Sequence, residues 1–496
     1  MGGSGGDVRG ILLDESLLFA QENKNKQSRS SSTFFQSGAE DLLRRLQYSK
    51  IQIGISYGED TCGEKVTFLE EIAKLYSLDS FNISSIDQII SAWPHIQGTR
   101  IYVTGSSNSL NNKLKDHHWF ILTLNPLPSI EEEESITRLE ELPLALSRFN
   151  KKASDGSVLT VGYVMKPSRE DDFAKRGAFP MHTTNNGLMF VPLSFDLPLA
   201  SQLQQVDVVL HKATDQVISI GFSEGSSKTL YTKGMQELQR YFQDHPDCCV
   251  IDPLDNISPV LDRLRMQQIL LGLENLKTDG QCRIRAPHFL KVDDFNDPKL
   301  GERLSEVNLY LPSIVKPQVA CGVADAHDMA IVFRTEDFKS LEVPLPAVVQ
   351  EYVDHSSLLY KLYVLGEKVF YSVKNSTPNS DVFLSSYEKD GHKPIIFNSL
   401  KSLPIAAKKK SDDDDYLDVE LATEAANWLR KKLSLTIFGF DIVIQQGSRD
   451  HVVVDVNYLP SFKEVADEVA IPAFWDAIKM SYHSTRELKS ASAAAF

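Results

Sequence analysis

The sequence predicts a chain of mixed α/β and α+β class, and three patterns in its 496 residues predict it. Over the first 150 residues or so, strand-like and helix-like segments alternate, as in a three-layer α/β domain. Further on, strand-like runs at 312–319, 345–352, 360–364 and 368–373 follow one another. Near the end, the runs 437–445 and 451–458 give a hairpin signal.

In order, a Gly-rich lead (residues 1–6) precedes an apolar run at 9–19 that ends in Asp14-Glu15-Ser16. Residues 21–37 are polar and Ser-rich, a loop composition. Helical spacing at 41–48 and 65–76 brackets a strand-like run at 51–56, and strands follow at 101–104 and 119–124. The acid run Glu131–Glu134 suits a solvated helix start. Residues 151–156 are turn-rich, so a domain boundary is set there. A strand at 157–165, a buried-type strand at 206–210 and helical spacing at 259–273 come next. Residues 408–415 join a Lys run to four Asp, an exposed loop, and helical spacing returns at 421–433.

Composition narrows the classes. With a net charge of −15 the chain lacks the basic surplus of a general nucleic-acid binder, so any polyanion must meet a locally basic pocket. Five cysteines without a CxxC pair read as thiols of a reducing compartment. No apolar run reaches membrane-span length. The lead has no signal-peptide h-region, and Gly6 breaks a myristoylation pattern. The expectation is a cytoplasmic monomer with no membrane span and no nucleic-acid partner.

Two decoys fail. Gly58–Lys65 sits between a strand and a helix like a P-loop, but Glu64 separates the second Gly from Lys65, and acids stand where phosphates would lie. Adjacent His117 and His118 point to different sides, which makes poor joint metal ligands. No HRD or DFG segment of a protein kinase is present.

The informative segment is the hairpin. Asp441 lies inside the apolar run 438–444; Asp455 and Asn457, two apart, share one face of 452–458. A three-residue turn, Gly447-Ser448-Arg449, sets Asp441 across from Asp455. Facing buried acids need relief, from a divalent cation such as Mg²⁺ or from neighbouring Lys and Arg. Upstream, Lys316 lies in a buried-type strand and needs an anion, either a nucleotide phosphate or a structural carboxylate. The run Ala347–Val353 offers backbone groups at a strand end, and Lys361 is another strand-embedded lysine.

That order of elements resembles the ATP-grasp fold, and specifically the inositol 1,3,4-trisphosphate 5/6-kinase (inositol tetrakisphosphate 1-kinase) family in its longer plant form. The match rests on Val161-Gly162-Tyr163, His211–Asp215, Asp252-Pro253, Asp262-Arg263, Lys316–Ala320, Ala326–Ala330, Tyr360-Lys361 and Asp441 with Asp455–Pro460. The resemblance implies an ATP- and Mg²⁺-dependent kinase that phosphorylates a free hydroxyl of an inositol tris- or tetrakisphosphate, as in phytate metabolism. It implies ATP between two antiparallel sheets, held by Arg263, Lys316, the hinge Gln350, Glu351, Tyr352 and Val353, and Ser376. It implies Mg²⁺ on Asp441, Asp455 and Asn457, and inositol polyphosphate on Lys212, His327, Lys361 and Asn457. Arg169 stands where the family has a substrate-binding Lys. Lys316, Lys361 and Asp441 would carry catalysis. Three departures, Cys321 before Gly322, Lys374 for an Arg and Ser461 for a Gly, bear on regiospecificity.

The N-terminal region resembles a Rossmann-like, haloacid dehalogenase-like domain through Leu12–Ser16 and Val103-Thr104-Gly105. That chemistry needs a second Asp where Ser16 stands, so a catalytically dead domain is expected. The expected domains are therefore 1–155 (haloacid dehalogenase-like), 156–255 (inositol-phosphate-binding) and 256–496 (ATP-grasp). A carboxylate–amine ligase of the same fold and a non-catalytic inositol-phosphate binder are the alternatives.

Overall fold

The computed structural model describes residues 6–19, 35–82, 86–93, 96–105, 109–125, 135–154, 156–223, 226–276, 282–389, 391–406 and 417–494. Most of the Gly-rich lead and the Ser-rich stretch, the acid run at 131–134 and the Lys/Asp stretch at 408–415 lie outside the described residues. The chain divides into two units, Met1–Leu210 with Asp247–Cys249, and His211–Pro246 with Val250–Phe496.

In the first unit a six-stranded parallel sheet runs in the order Asp79–Asn82, Gln52–Tyr57, Val8–Asp14, Thr99–Thr104, Trp119–Leu124, Ser135–Ile136. Both faces are covered, as parallel sheets require. Ile11, Leu13, Ile55 and Val103 fill one core, and Leu12, Tyr102 and Ile121 pack with Trp93 and Trp119 in the other. The winding reverses at Val8–Asp14, so Asp14 stands at the strand end where open α/β sheets bind ligands. The strand Asp79–Asn82 was not legible beforehand: it has four residues, and only Phe81 points inward.

The same unit contains Leu159–Val164 and the helix Pro167–Lys175, which the N-terminal helix Ala39–Leu46 grips. Glu170 is 2 % exposed and receives Arg45 Nε at 2.9 Å, Arg44 Nη2 at 2.9 Å and the Tyr163 hydroxyl at 2.9 Å. Arg44 also pairs with Asp171 at 2.5 Å. Asn150 adds a polar tie, accepting from the Val8 N–H at 2.7 Å and donating to the Met181 carbonyl at 3.2 Å.

The second unit holds two five-stranded sheets. One runs Phe289–Val292, Ala347–Glu351, Ser313–Pro317, Asp328–Val332, Ile395–Asn398, with every pairing antiparallel. The other runs Ile284–Arg285, His451–Tyr458, Ile437–Ile444, Leu358–Leu365, Lys368–Asn375. The helical spacing at 259–273 resolves into a helix Arg263–Leu270 between two 3₁₀ turns. Extended Asp262 breaks it, its carboxylate capping the N–H groups of Leu264 and Arg265 at 3.0 and 3.3 Å. Among the described residues no helix is long and apolar enough to cross a membrane.

Candidate active site

The hairpin delivers Asp441 opposite Asp455, by a different route from the expected three-residue turn. Ile444 pairs with His451, Val443 with Val452 and Ile442 with Val453, so the connection is one residue longer at that end. A bulge between Asp441 and Ile442 then absorbs Val454 and restores the pairing of Asp441 with Asp455 and of Gly439 with Asn457. Two offsets of one residue cancel. The bulged residue has a use, because the Val454 carbonyl accepts from Lys316 Nζ at 3.3 Å, joining the two five-stranded sheets.

Around the facing acids the chemistry is oxygen-rich. The Asn457 amide donates to Asp455 Oδ2 at 3.0 Å. Lys361, paired in register with Asp441 on the adjacent strand, brings its ammonium within 3.6 Å of Asp441 Oδ2. Burial pushes the Asp441 carboxyl up to about 6; Lys361 pulls against this and Asp455 adds to it. Two carboxylates and an amide fit a hard cation. Among the described residues no three His, Cys, Asp or Glu side chains gather into a metal-holding group.

Lys316 is 8 % exposed, and its ammonium meets only neutral oxygens, Gln350 Oε1 at 3.0 Å and the Val454 carbonyl. Among the described residues no carboxylate stands at ion-pair distance from it, although Asp455 and Asp441 both act on it electrostatically. Burial lowers its pKa to about 8, with Asp455 holding it up and Arg263 pushing it down. Gln267, which the sequence reading missed, lies on Arg263–Leu270 and donates to Gln350 Oε1 at 3.4 Å; its own Oε1 has no partner. A cavity of only about 10 Å³ remains among Arg263, Gln267, Gln350, Val454 and Asp455.

Arg263 is buried and heavily engaged. Nη1 donates to the carbonyls of Pro317 and Val319 at 2.7 Å and Ala326 at 3.1 Å, and Nη2 donates to Ala320 at 3.2 Å. It clamps the loop after Lys316. Cys321 lies in that loop, its half-buried thiol pushed up by desolvation and pulled down by Lys212 and Arg263. Gly322 turns it at φ +90°, where a Cβ would meet Val217 Cβ at 2.7 Å. His327 closes the loop, its Nδ1 3.1 Å from Ser399 Oγ, and burial lowers its pKa.

The hinge divides by strand alternation. Gln350 faces Lys316, whereas the Glu351 carboxylate binds Arg285 at 2.8 and 2.9 Å and the His288 N–H at 2.9 Å. The Tyr352 hydroxyl donates to the Pro378 carbonyl at 2.5 Å and lies 2.7 Å from the Thr377 hydroxyl, and the Val353 carbonyl meets His355 Nδ1 at 2.6 Å. Ser376 is buried beyond Lys368–Asn375, its N–H on the Ser357 carbonyl at 2.7 Å. Lys374 is paired with Glu464, a residue that the sequence reading passed over because it lies outside any strand.

Lys212 is buried, its ammonium donating to the Tyr458 carbonyl and standing 5.2 Å from the centre of the Tyr458 ring. Arg169 lies on Pro167–Lys175, in the first unit. The second site that the sequence raised is also in the first unit. Asp14 Oδ1 accepts from the Ser16 N–H at 3.0 Å and from the Ser16 hydroxyl, and Oδ2 accepts from the Tyr102 hydroxyl at 2.5 Å. Glu15 is held by Thr61 at 2.8 Å and Lys65 at 3.2 Å.

Comparison with known proteins adds an independent line. The family model described as the inositol 1,3,4-trisphosphate 5/6-kinase ATP-grasp domain matches residues 278–475, and the corresponding pre-ATP-grasp domain matches 160–257. A model described as "ITPK4, N-terminal HAD-like domain" matches residues 1–152. Inositol-tetrakisphosphate 1-kinase 6 of Oryza sativa subsp. japonica is 46% identical over 511 residues, 98% of this chain and 92% of that protein. Its counterpart from subsp. indica is 45% identical over 508 residues, with the same coverage. Inositol-tetrakisphosphate 1-kinase of Danio rerio is 30% identical over 297 residues, 58% of this chain and 70% of that protein.

Proposed function

We propose a reaction for this chain from one premise: it belongs to the inositol 1,3,4-trisphosphate 5/6-kinase family. It is an ATP-dependent inositol phosphate kinase with an ATP-grasp domain and a haloacid dehalogenase-like N-terminal domain. The acceptor is an inositol tris- or tetrakisphosphate with a free hydroxyl, a step toward more highly phosphorylated inositols such as phytate. Family membership does not favour the ligase or the non-catalytic binder.

The observation that carries the site is the buried Lys316 ammonium, held by neutral oxygens alone beside two facing carboxylates. It supports a place for nucleotide phosphates, which bring the missing negative charge. Mg²⁺ on Asp441, Asp455 and Asn457 would supply charge neutralisation at those phosphates. Gln350 orients Lys316, and the backbone of Glu351, Tyr352 and Val353 borders the base, with Ser376 nearby. Arg263 shapes the phosphate-side loop through its carbonyl clamp. Lys212, His327, Lys361 and Asn457 bind the acceptor's phosphates, a role that the family resemblance also gives Arg169. The acceptor oxygen then forms its bond to the γ-phosphorus in line with the departing ADP oxygen, a transfer that depends on positioning and charge. The three-domain division at 155 and 255, a cytoplasmic location and a monomeric state complete the proposal.

The test is a panel of inositol tris-, tetrakis- and pentakisphosphates incubated with Mg-ATP, with products separated by ion exchange. ATP-dependent gain of one phosphate on at least one acceptor is expected. ADP release only with an amine acceptor, or tight binding with no turnover, would sink the reading.

A further inference from the structure

Tyr458 is the residue that the motifs named without giving it work. It is 2 % exposed and closes the strand His451–Tyr458, one position beyond Asn457 and on the other face of that strand. Its hydroxyl accepts from the Asp252 N–H at 2.9 Å. The one hydroxyl hydrogen lies between the His211 carbonyl at 2.8 Å and the Ile251 carbonyl at 3.0 Å. The ring and main-chain carbonyl of the same residue hold the Lys212 ammonium, the carbonyl as acceptor and the ring 5.2 Å away.

These contacts converge on one geometry. His211 immediately precedes Lys212, so the hydroxyl fixes the main chain that carries Lys212 while the ring and carbonyl fix its tip. Asp252, at the next strand end, receives the N–H groups of Thr436 and Ile437 at 2.9 and 3.4 Å, where the strand bearing Asp441 begins. One side chain thus references the Lys212 segment, the Asp441 strand and its own Asn457-bearing strand to a common point. The His211 ring centroid lies 6.4 Å from that of Tyr458, and among the described residues neither of its nitrogens has a side-chain hydrogen-bond partner.

We infer that Tyr458 is a positioning residue for the inositol-phosphate acceptor, acting through Lys212 and setting its ammonium at a fixed distance from the Asp441–Asp455–Asn457 group. The ring under Lys212 is a soft support, because a cation–π contact weakens gradually with distance. An incoming phosphate can therefore draw the ammonium off the Tyr458 carbonyl without the residue losing its seat. The inference rests on the reading of Lys212 as an acceptor ligand, and the experiment separates the two.

Tyr458→Phe keeps the ring and removes the hydroxyl's ties; Tyr458→Leu removes both. KM for the best acceptor of the inositol phosphate panel and KM for ATP are measured for each, beside Lys212→Ala, with thermal unfolding as a control on folding. Tyr458→Phe is expected to raise the acceptor KM roughly tenfold, the size of one net hydrogen bond. Tyr458→Leu raises it further, and the ATP KM stays within about twofold in both. Equal rises in both KM values, in step with lost thermal stability, would mean a structural role only and overturn the inference. It is equally overturned if Lys212→Ala raises the acceptor KM and both Tyr458 variants leave it unchanged. If Lys212→Ala leaves the acceptor KM unchanged, the assignment of Lys212 falls and the inference falls with it. Should Tyr458→Leu not fold, the near-isosteric Phe variant decides alone.

Discussion

Asp14 and Asp441 both stand in strands buried among apolar neighbours, yet their surroundings are opposite. Asp14 has both oxygens occupied by uncharged donors of its own chain, the Ser16 N–H and hydroxyl and the Tyr102 hydroxyl. Asp441 faces the carboxylate of Asp455, and an ammonium 3.6 Å away answers only part of the demand. A carboxylate whose lone pairs are taken up locally stabilises a turn. Two carboxylates set against each other cost energy unless something positive arrives. Geometry thus distinguishes an acid satisfied within its own turn from one that faces another acid.

The sharpest way to break it is to neutralise each acid. Asp455→Asn is expected to lower kcat for inositol phosphate phosphorylation by roughly a hundredfold or more, the scale of losing a group that stabilises transition-state charge. Asp14→Asn leaves that activity within about twofold, since it touches no reacting group. Circular dichroism checks that both remain folded. Parity between the two variants would collapse the distinction.

A second experiment tests Lys316. Burial brings its ammonium down to about 8, so the neutral amine prevails above that pH and its attraction for phosphate fades. The kcat/KM for Mg-ATP is expected to fall as pH rises through about 8, because this ratio reports the free enzyme. Lys316→Arg keeps its charge over that range, so the alkaline fall is lost even if the absolute rate drops. An alkaline limb unchanged in Lys316→Arg would assign the titration elsewhere.

The smallest effect sharpens the comparison from the other side. Ser16→Asp puts a second carboxylate beside Asp14 and removes a hydroxyl donor. A loss of about 1–3 kcal/mol in unfolding free energy is expected, from one lost hydrogen bond and like-charge repulsion. Partial recovery on adding millimolar Mg²⁺ would show that opposed carboxylates alone create a cation's place in this fold.

Much of the candidate site's geometry was legible in the sequence because its residues are close along the chain or fixed by alternation. Asp455 and Asn457 share a face by period two, and Asp441 follows from the hairpin. Even there the turn was one residue longer than expected, and only the Val454 bulge rescued the register. What stayed hidden depends on contacts between distant segments. Gln267 reaches Gln350 across 83 positions, and Lys316 reaches the Val454 carbonyl across 138. The engagement of the Glu351 carboxylate by Arg285, 66 positions away, likewise left no local mark. Periodicity reports which face a residue takes, and says nothing of which partner waits there. The six-stranded sheet shows the same limit: its long apolar strands were evident, whereas Asp79–Asn82 has too few inward residues to signal.

The grip of Arg44 and Arg45 on Glu170 has a consequence for how this polypeptide can be divided. Recombination and limited proteolysis treat chains as separable cassettes, and the turn-rich stretch near 155 invites such a cut. A fragment beginning at Ser157 would retain Glu170 and Tyr163 but lose both guanidinium groups that neutralise the acid. Such a cut would break a largely buried ion-pair network that spans it. The haloacid dehalogenase-like region thus supplies counter-ions to the segment that follows it, and a cassette held by charge is hard to discard.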